Sequence, residues 1–256
     1  MMEVSLDLRK PLTDNAKDRY ERSKKFKRKI EGMGKAIRDT ERQLIEMPEE
    51  DVPAPTITKR RQRRWYEKFR WFRSTEDFLV IGGRDATSNE ILIKKHLDQN
   101  DLVFHANIQG ASFFIVKGEE GRQPGDATKR QAATAAASYS KAWNKGLGSV
   151  DVYMVSPDQV SKTPPSGEYL PKGAFMVYGE KTWFKNTELG LAIGISDGEI
   201  IGGPLESIRH SARTYVMVGV GDISQGKSAK KVRSVLGEGD LDDIQRFLPP
   251  GGSSIS

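Results

Sequence analysis

From Thr13 to Met47 apolar side chains return at helical spacing. Ala16, Ser23, Ile30, Ile37 and Leu44 recur every seven residues, with Phe26, Met33 and Met47 at companion positions. This predicts one long helix with an imperfect heptad seam, its start capped by Thr13 or Asp14. Gly32 and Gly34 each cost such a helix about 1 kcal/mol relative to alanine, so it needs a packing partner. Its length, roughly 50 Å at 1.5 Å per residue, predicts a projecting arm. Residues 48–58, PEEDVPAPTIT, break it with three prolines and three acids. A second, shorter helix fits residues 59–72, where Trp65, Phe69 and Phe72 share one face.

From Ser74 the pattern changes. Strands fit Phe78–Ile81, Leu102–Asn107, Phe113–Lys117, Val150–Val155 and Phe175–Tyr178, and shorter ones fit 190–196 and 213–220. A helix follows Thr87, which forms a capping-box pattern with Glu90. Another runs from Ala127 to Trp143, capped by Asp126, with seven alanines giving it a slim face. A third covers Lys227–Leu236. Residues 156–173 read as a long loop and PPGGSSIS as a disordered tail. The fold class is therefore α+β. Residues 1–58 form a helical arm and linker, 59–185 a mixed domain, 186–248 a small β-containing extension and 249–256 the tail.

Composition narrows the chemistry. The chain has no cysteine, which excludes disulfides, thiolate catalysis and Cys-ligated zinc. His96, His105 and His210 are not paired at metal-ligand spacing, so no metal or other cofactor is expected. No apolar run reaches the roughly 18 residues of a membrane helix, and the charged N-terminus lacks a signal-peptide core, so a cytoplasmic protein is expected. The net charge of +6 is uneven: residues 59–73 carry 8 basic side chains and 1 acidic one, and residues 1–47 carry 13 and 9. A concentrated basic element on a nearly neutral body is the footprint of a protein that binds a polyanion.

Four features carry candidate chemistry. In KRRQRRWYEKFRWFR the cations Arg60, Arg61, Arg63, Arg64 and Arg70 suit phosphate contacts. Its five aromatics fit either base stacking or anchorage to the core, and helical spacing favours the core for Trp65, Phe69 and Phe72. In FLVIGGRDATSNE an apolar strand meets a helix start, so free amides and Arg84 form a candidate phosphate pocket, or simply a tight turn. In FHANIQGAS, His105 suits a phosphate or base contact, or a satisfied core position. No Ser/His/Asp triad is present, and the chain is not expected to be an enzyme. Finally, GDISQGKS (Gly221–Ser228) spells a P-loop, which makes a nucleotide-binding protein the rival reading. Only 28 residues follow it, too few for the remaining parallel strands and the acidic strand that holds magnesium.

The order of these blocks has a resemblance. RWYEKFRWFRSTEDFLVIGGRDATSNEILIKKHL, DLVFHANIQGASFFIVKG, AATAAASYSKAWNKGLGSVDVYMV and PPSGEYLPKGAFMVYGEK resemble the NFACT-R domain. That is the RNA-binding domain of the NFACT proteins, the RqcH/NEMF-type ribosome-quality-control factors once labelled fibronectin-binding-like. DLRKPLTDNAKDRYERSKKFKRKI resembles the start of that family's coiled-coil arm, and the last 70 residues resemble an archaeal extension only loosely. The resemblance implies binding to tRNA and to stalled large ribosomal subunits, with the arm offering a helix-helix partner surface. It places site residues at Gly82, Gly83, Arg84, Asp85 and Asn89, at His105, Gly110, Ala111 and Ser112, and at Lys172, Gly173 and Phe175. Gln109 departs from the family pattern, which leaves an acid/base role for paired histidines without support. The family's N-terminal domain and helix-hairpin-helix region have no counterpart here, so a piece or a shortened member is expected, without tailing activity of its own. The remaining rival is an interaction module acting through the arm.

Overall fold

The computed structural model describes residue 7 and residues 11–46, 63–163 and 170–256. These fall into two compact units, Met1–Gln62 and Arg63–Ser256. The first is built on α1 (Leu12–Glu46). Asn15 ties down the chain before the helix, in place of a Thr13 or Asp14 cap. Its side chain accepts from the Asp7 amide (2.8 Å) and donates to the Asp7 carbonyl (2.9 Å). Phe26, Ile30, Met33 and Ile37 are exposed along α1. The proline-rich stretch 48–58 and the cations Lys59, Arg60 and Arg61 lie outside the described residues.

The second unit begins with β1 (Arg70–Arg73), β2 (Leu79–Gly82), α2 (Ala86–His96), β3 (Leu102–Ala106), β4 (Phe113–Val116), α3 (Asp126–Ser138) and α4 (Lys141–Asn144). It continues with β5 (Ser149–Val155), β6 (Val160–Ser161), β7 (Met176–Val177), β8 (Thr182–Glu188), β9 (Leu191–Ser196) and β10 (Glu199–Gly203). It closes with α5 (Leu205–Ser211), β11 (Thr214–Ile223), α6 (Gln225–Leu236), α7 (Leu241–Phe247) and β12 (Ser253–Ile255). Six strands form one antiparallel sheet in the order β1-β2-β4-β3-β5-β8. Alternation gives this sheet two covered faces. Phe72, Val80, Phe104, Phe114 and Val152 face α3, whose Ala132, Ala133, Ala135, Ala136 and Ala137 are all buried. Methyl-sized side chains let the helix approach the sheet closely. Ile81, Val103, Phe113, Ile115 and Tyr153 face the other way, against Leu92 and Ile93 of α2.

A second sheet, β10-β9-β11-β12, joins the α3-side core through Leu191, Ile193, Val216 and Val218. Val232 of α6 and Ile244 and Phe247 of α7 complete that core. Three long-range bonds fasten the end of α7 and the segment after it. Tyr139 Oη donates to the Phe247 carbonyl (2.7 Å), Trp143 Nε1 to the Gly252 carbonyl (2.8 Å) and Arg70 Nη1 to the Leu248 carbonyl (3.1 Å).

Three sequence expectations are corrected. Residues 59–72 do not continue as a helix in their described part. A 3-10 turn over Trp65–Lys68 leads into β1, whose Phe72 pairs with Val80 of β2. The RWFR segment does not alternate, but both faces of this sheet are covered, so the adjacent Trp71 and Phe72 can both pack in a strand, and pairing with the apolar β2 fixes it there. Asp126 lies within α3, whose cap position is Gly125, and the helix stops at Ser138 rather than Trp143. The tail expected to be disordered is a strand: Val218 pairs with Ile255, and Ser256 exchanges backbone bonds with Met217. Ile255 buries itself there, which offsets the entropy of ordering the segment.

Candidate nucleic-acid interface

The start of α2 gathers much of what the sequence singled out. β2 ends at Gly82, and Gly83 passes so close to the next helix that an added Cβ would lie 1.8 Å from Asn89 Oδ1. That Oδ1 accepts from the buried Phe113 amide (3.2 Å), so Asn89 stitches α2 to β4 instead of reaching outward. The helix is capped by Asp85, not Thr87. Its carboxylate accepts from the Ser88 amide (2.8 Å), and Ser88 Oγ accepts from the Asp85 amide (2.9 Å) in return. The Ser88 amide holds the Asp85 carboxyl below its usual range. The protein's own carboxylate thus occupies the anion position at the helix start, so the amides there do not form the expected phosphate pocket.

Positive charge gathers instead in guanidiniums beside that turn. Arg84 Nη2 donates to the Arg246 carbonyl (3.3 Å). Arg70 Nη1 reaches the same carbonyl (3.4 Å) and that of Leu248 (3.1 Å), and its guanidinium lies 4.0 Å from the Tyr139 ring centroid. Burial pushes Arg70 down to about 10; burial and then the charge of Arg246 lower Arg84. Among the described residues, neither Arg70 nor Arg84 has a carboxylate at ion-pair distance. One carboxylate, Asp243, is shared by Arg246 (3.4 Å) and Arg63 (3.5 Å). Arg64 donates to Tyr66 Oη (2.8 Å). Arg63, Arg70, Arg84 and Arg246 therefore make a basic end to the sheet. Arg246 was not legible in the sequence, because nothing in its local spacing links it to a turn more than 160 positions earlier.

The remaining candidates divide. Lys172 is exposed, and the chain beside it docks on α2. Gly173 has φ +76° with its Cα facing the Ala86 carbonyl, and its amide donates to Glu90 (2.9 Å). Lys94 and that amide, with Lys162, hold the Glu90 carboxyl down at about 2. Ser112 is half-buried next to Phe113. His105 is turned inward. Its Nε2 pairs with the Ala111 carbonyl (3.2 Å), its Nδ1 with Tyr153 Oη (3.3 Å), and burial pushes it down to about 4. A neutral, doubly engaged imidazole suits a core role and not a phosphate contact.

The basic-aromatic run is mainly structural in its aromatics. Tyr66, Phe69 and Phe72 are buried, whereas Trp65, expected inside, is 47% exposed and stacks on His96 at 4.4 Å. The Gly221–Ser228 stretch is no P-loop. β11 runs to Ile223, α6 starts at Gln225, and Ser228 is buried, donating to the Ile223 carbonyl (3.2 Å). Gly226, Lys227 and Ser228 are helical, so no loop remains to wrap a phosphate. Among the described residues there is no cluster of metal-ligating side chains, and no helix is long and apolar enough to cross a membrane.

The chain also resembles known proteins. Residues 68–179 match the family described as the NFACT protein RNA binding domain. The chain is 41% identical over 202 residues to the archaeal Rqc2 homolog aRqcH of Methanocaldococcus jannaschii, covering 77% of this chain and 30% of that protein. It is 37% identical over 196 residues to the ribosome quality control complex subunit NEMF homolog of Drosophila melanogaster, covering 75% and 20%. The chain thus spans less than a third of the length of these relatives, whose names are those of quality-control factors and not of enzymes. Among solved structures, the C-terminal part of the fibronectin/fibrinogen-binding protein from Streptococcus suis aligns at 21% identity with a TM-score of 0.40, over 69% of this chain and 76% of that one.

Proposed function

We propose, on the premise that residues 68–179 are an NFACT RNA-binding domain, that this chain holds the phosphate backbone of tRNA or large-subunit ribosomal RNA for a factor that rescues stalled translation. The observation that carries the reading is the basic end of the sheet. Arg70 and Arg84 are held half-buried, against a desolvation cost, with carbonyls and a ring as partners and no carboxylate at ion-pair distance among the described residues. Charge kept where it destabilises the free protein is charge reserved for an anion, and planar guanidiniums match phosphate oxygens bidentately. Arg63, Arg64 and Lys172 extend the field, and Asp85 and Asn89 fix the turn that presents Arg84. The resemblance to quality-control factors supports reading that polyanion as ribosomal RNA or tRNA.

The test is tRNA affinity as a function of salt. A contact made through several phosphates gives a log–log slope of several units, and a flat response overturns the reading. The exposed Phe26, Ile30, Met33 and Ile37 of α1 favour a second, compatible reading in which the arm pairs with another helix. Self-association, or partner capture that RNase leaves intact, is its measure.

A further inference from the structure

The register of the six-stranded sheet lines up four rings. Phe113 of β4 pairs with His105 of β3, His105 with Tyr153 of β5, and Tyr153 with Trp183 of β8. Directly paired residues point to the same face, so the rings form one row on the α2 side of the sheet. Adjacent centroids lie 4.5, 5.6 and 5.5 Å apart. Phe113 and Tyr153 are buried and His105 between them is half-buried, whereas Trp183, on the edge strand, is 40% exposed. The row therefore opens to solvent at one end, and that end carries cations. Lys181 Nζ lies 4.4 Å from the Tyr153 centroid, and Lys185 Nζ lies 4.3 Å from that of Trp183. Lys185 also pairs with Asp151 at 2.8 Å, and Lys181 has no carboxylate at ion-pair distance among the described residues.

We infer that this edge is a stacking site for an unpaired nucleobase, with Trp183 as the platform and Lys181 and Lys185 as partners for the flanking phosphates. The inference rests on the RNA-binding reading above. A lone exposed tryptophan needs no explanation. This one is backed edge-on by Tyr153, which holds it in place, and is flanked by long flexible cations able to exchange a ring for a phosphate. An indole face with lysines beside it suits any base and a negatively charged backbone, which is how single strands are held without sequence reading. An added protein strand is disfavoured. Asn186 has φ +51°, and the pairing of β5 with β8 shifts register between Val150 and Val152, so the edge is bulged. The site is separate from the arginine end: β1 and β8 are opposite edges, with four strands between them.

The test compares wild type, Trp183→Ala and Trp183→Phe on three probes: a short oligoadenylate, the same strand with abasic positions, and an RNA duplex. Trp183→Ala is expected to weaken oligoadenylate binding about tenfold or more. Trp183→Phe should weaken it less, and duplex affinity should not change. On the abasic strand, wild type and Trp183→Ala should bind alike. Unchanged oligoadenylate affinity, or an equal loss on the abasic strand, overturns the stacking site, and salt-dependent duplex binding sensitive to Arg84→Ala then leaves the phosphate reading intact. Failure of the wild type to bind any probe overturns both. Should Trp183→Ala not fold, equal wild-type affinity for the intact and abasic strands is itself the overturning result.

Discussion

Two basic-aromatic segments edge the same sheet, and they use their residues in opposite ways. Residues 63–73 are dense in charge and rings, yet Tyr66, Phe69 and Phe72 are core, and Arg70 reaches inward to carbonyls at the end of α7. Residues 181–185 hold only two lysines and two aromatics, yet Trp183 and Lys185 stand in solvent. The difference teaches that compositional density marks where a chain must do several things at once. A run that anchors two sheets and presents charge needs many such residues; a stacking site needs one ring in a fixed place.

The largest expected effect separates the two segments by stability. Phe72→Ala should cost about 4 kcal/mol in urea denaturation, the usual loss for a buried ring. Trp183→Ala should cost about 1 kcal/mol, as a partly exposed side chain does. Similar losses would break the comparison.

His105 sharpens it further, because it lies between buried Phe113 and exposed Trp183. Burial lowers its pKa from 6.5 to about 4, so the unfolded chain takes up a proton that the folded one refuses. This contribution is fully present above 6.5 and is lost as pH falls towards 4. Between pH 6.5 and about 5 the protein should lose about 2 kcal/mol through this group. His105→Gln should remove that part of the slope; a slope unchanged by the substitution would mean that the row is open to water at His105.

At the arginine end, Arg84→Ala should weaken tRNA binding about tenfold, about 1.4 kcal/mol, while the melting temperature holds. Unchanged affinity would make Arg84 a purely structural partner of the Arg246 carbonyl. The smallest effect belongs to the lysine edge. Lys185→Ala breaks an exposed pair with Asp151 and should change stability by less than about 0.5 kcal/mol. A larger loss would show that the pair braces β8.

Much of the fold was legible where one period dominated. The alanine face of α3, the β3 and β4 strands and the long α1 repeat followed from spacing alone. The run before Ser74 read as a helix, and pairing with its partner strand β2 overrides that local spacing. β8 was missed because both of its faces are largely exposed and show no apolar alternation. Asp85 was passed over as a cap because Thr87 and Glu90 made an equally valid local pattern two residues later. On the candidate site, the sequence located the Gly82–Arg84 turn but not Arg246, which arrives through packing of α7. Trp183 gave no signal by itself; its meaning comes from the register that places Tyr153 and His105 beside it.

The clasp on residues 247–252 has a kinetic side. Its bonds join residues 178, 108 and 109 positions apart. Contacts of such separation must await closure of long loops, and topologies rich in them fold slowly. The early strands β1 to β5 can pair while Arg70 and Tyr139 still lack their acceptors. Arg70 and Arg84 therefore gain their carbonyl partners only when α7, more than 160 positions away, packs against the sheet.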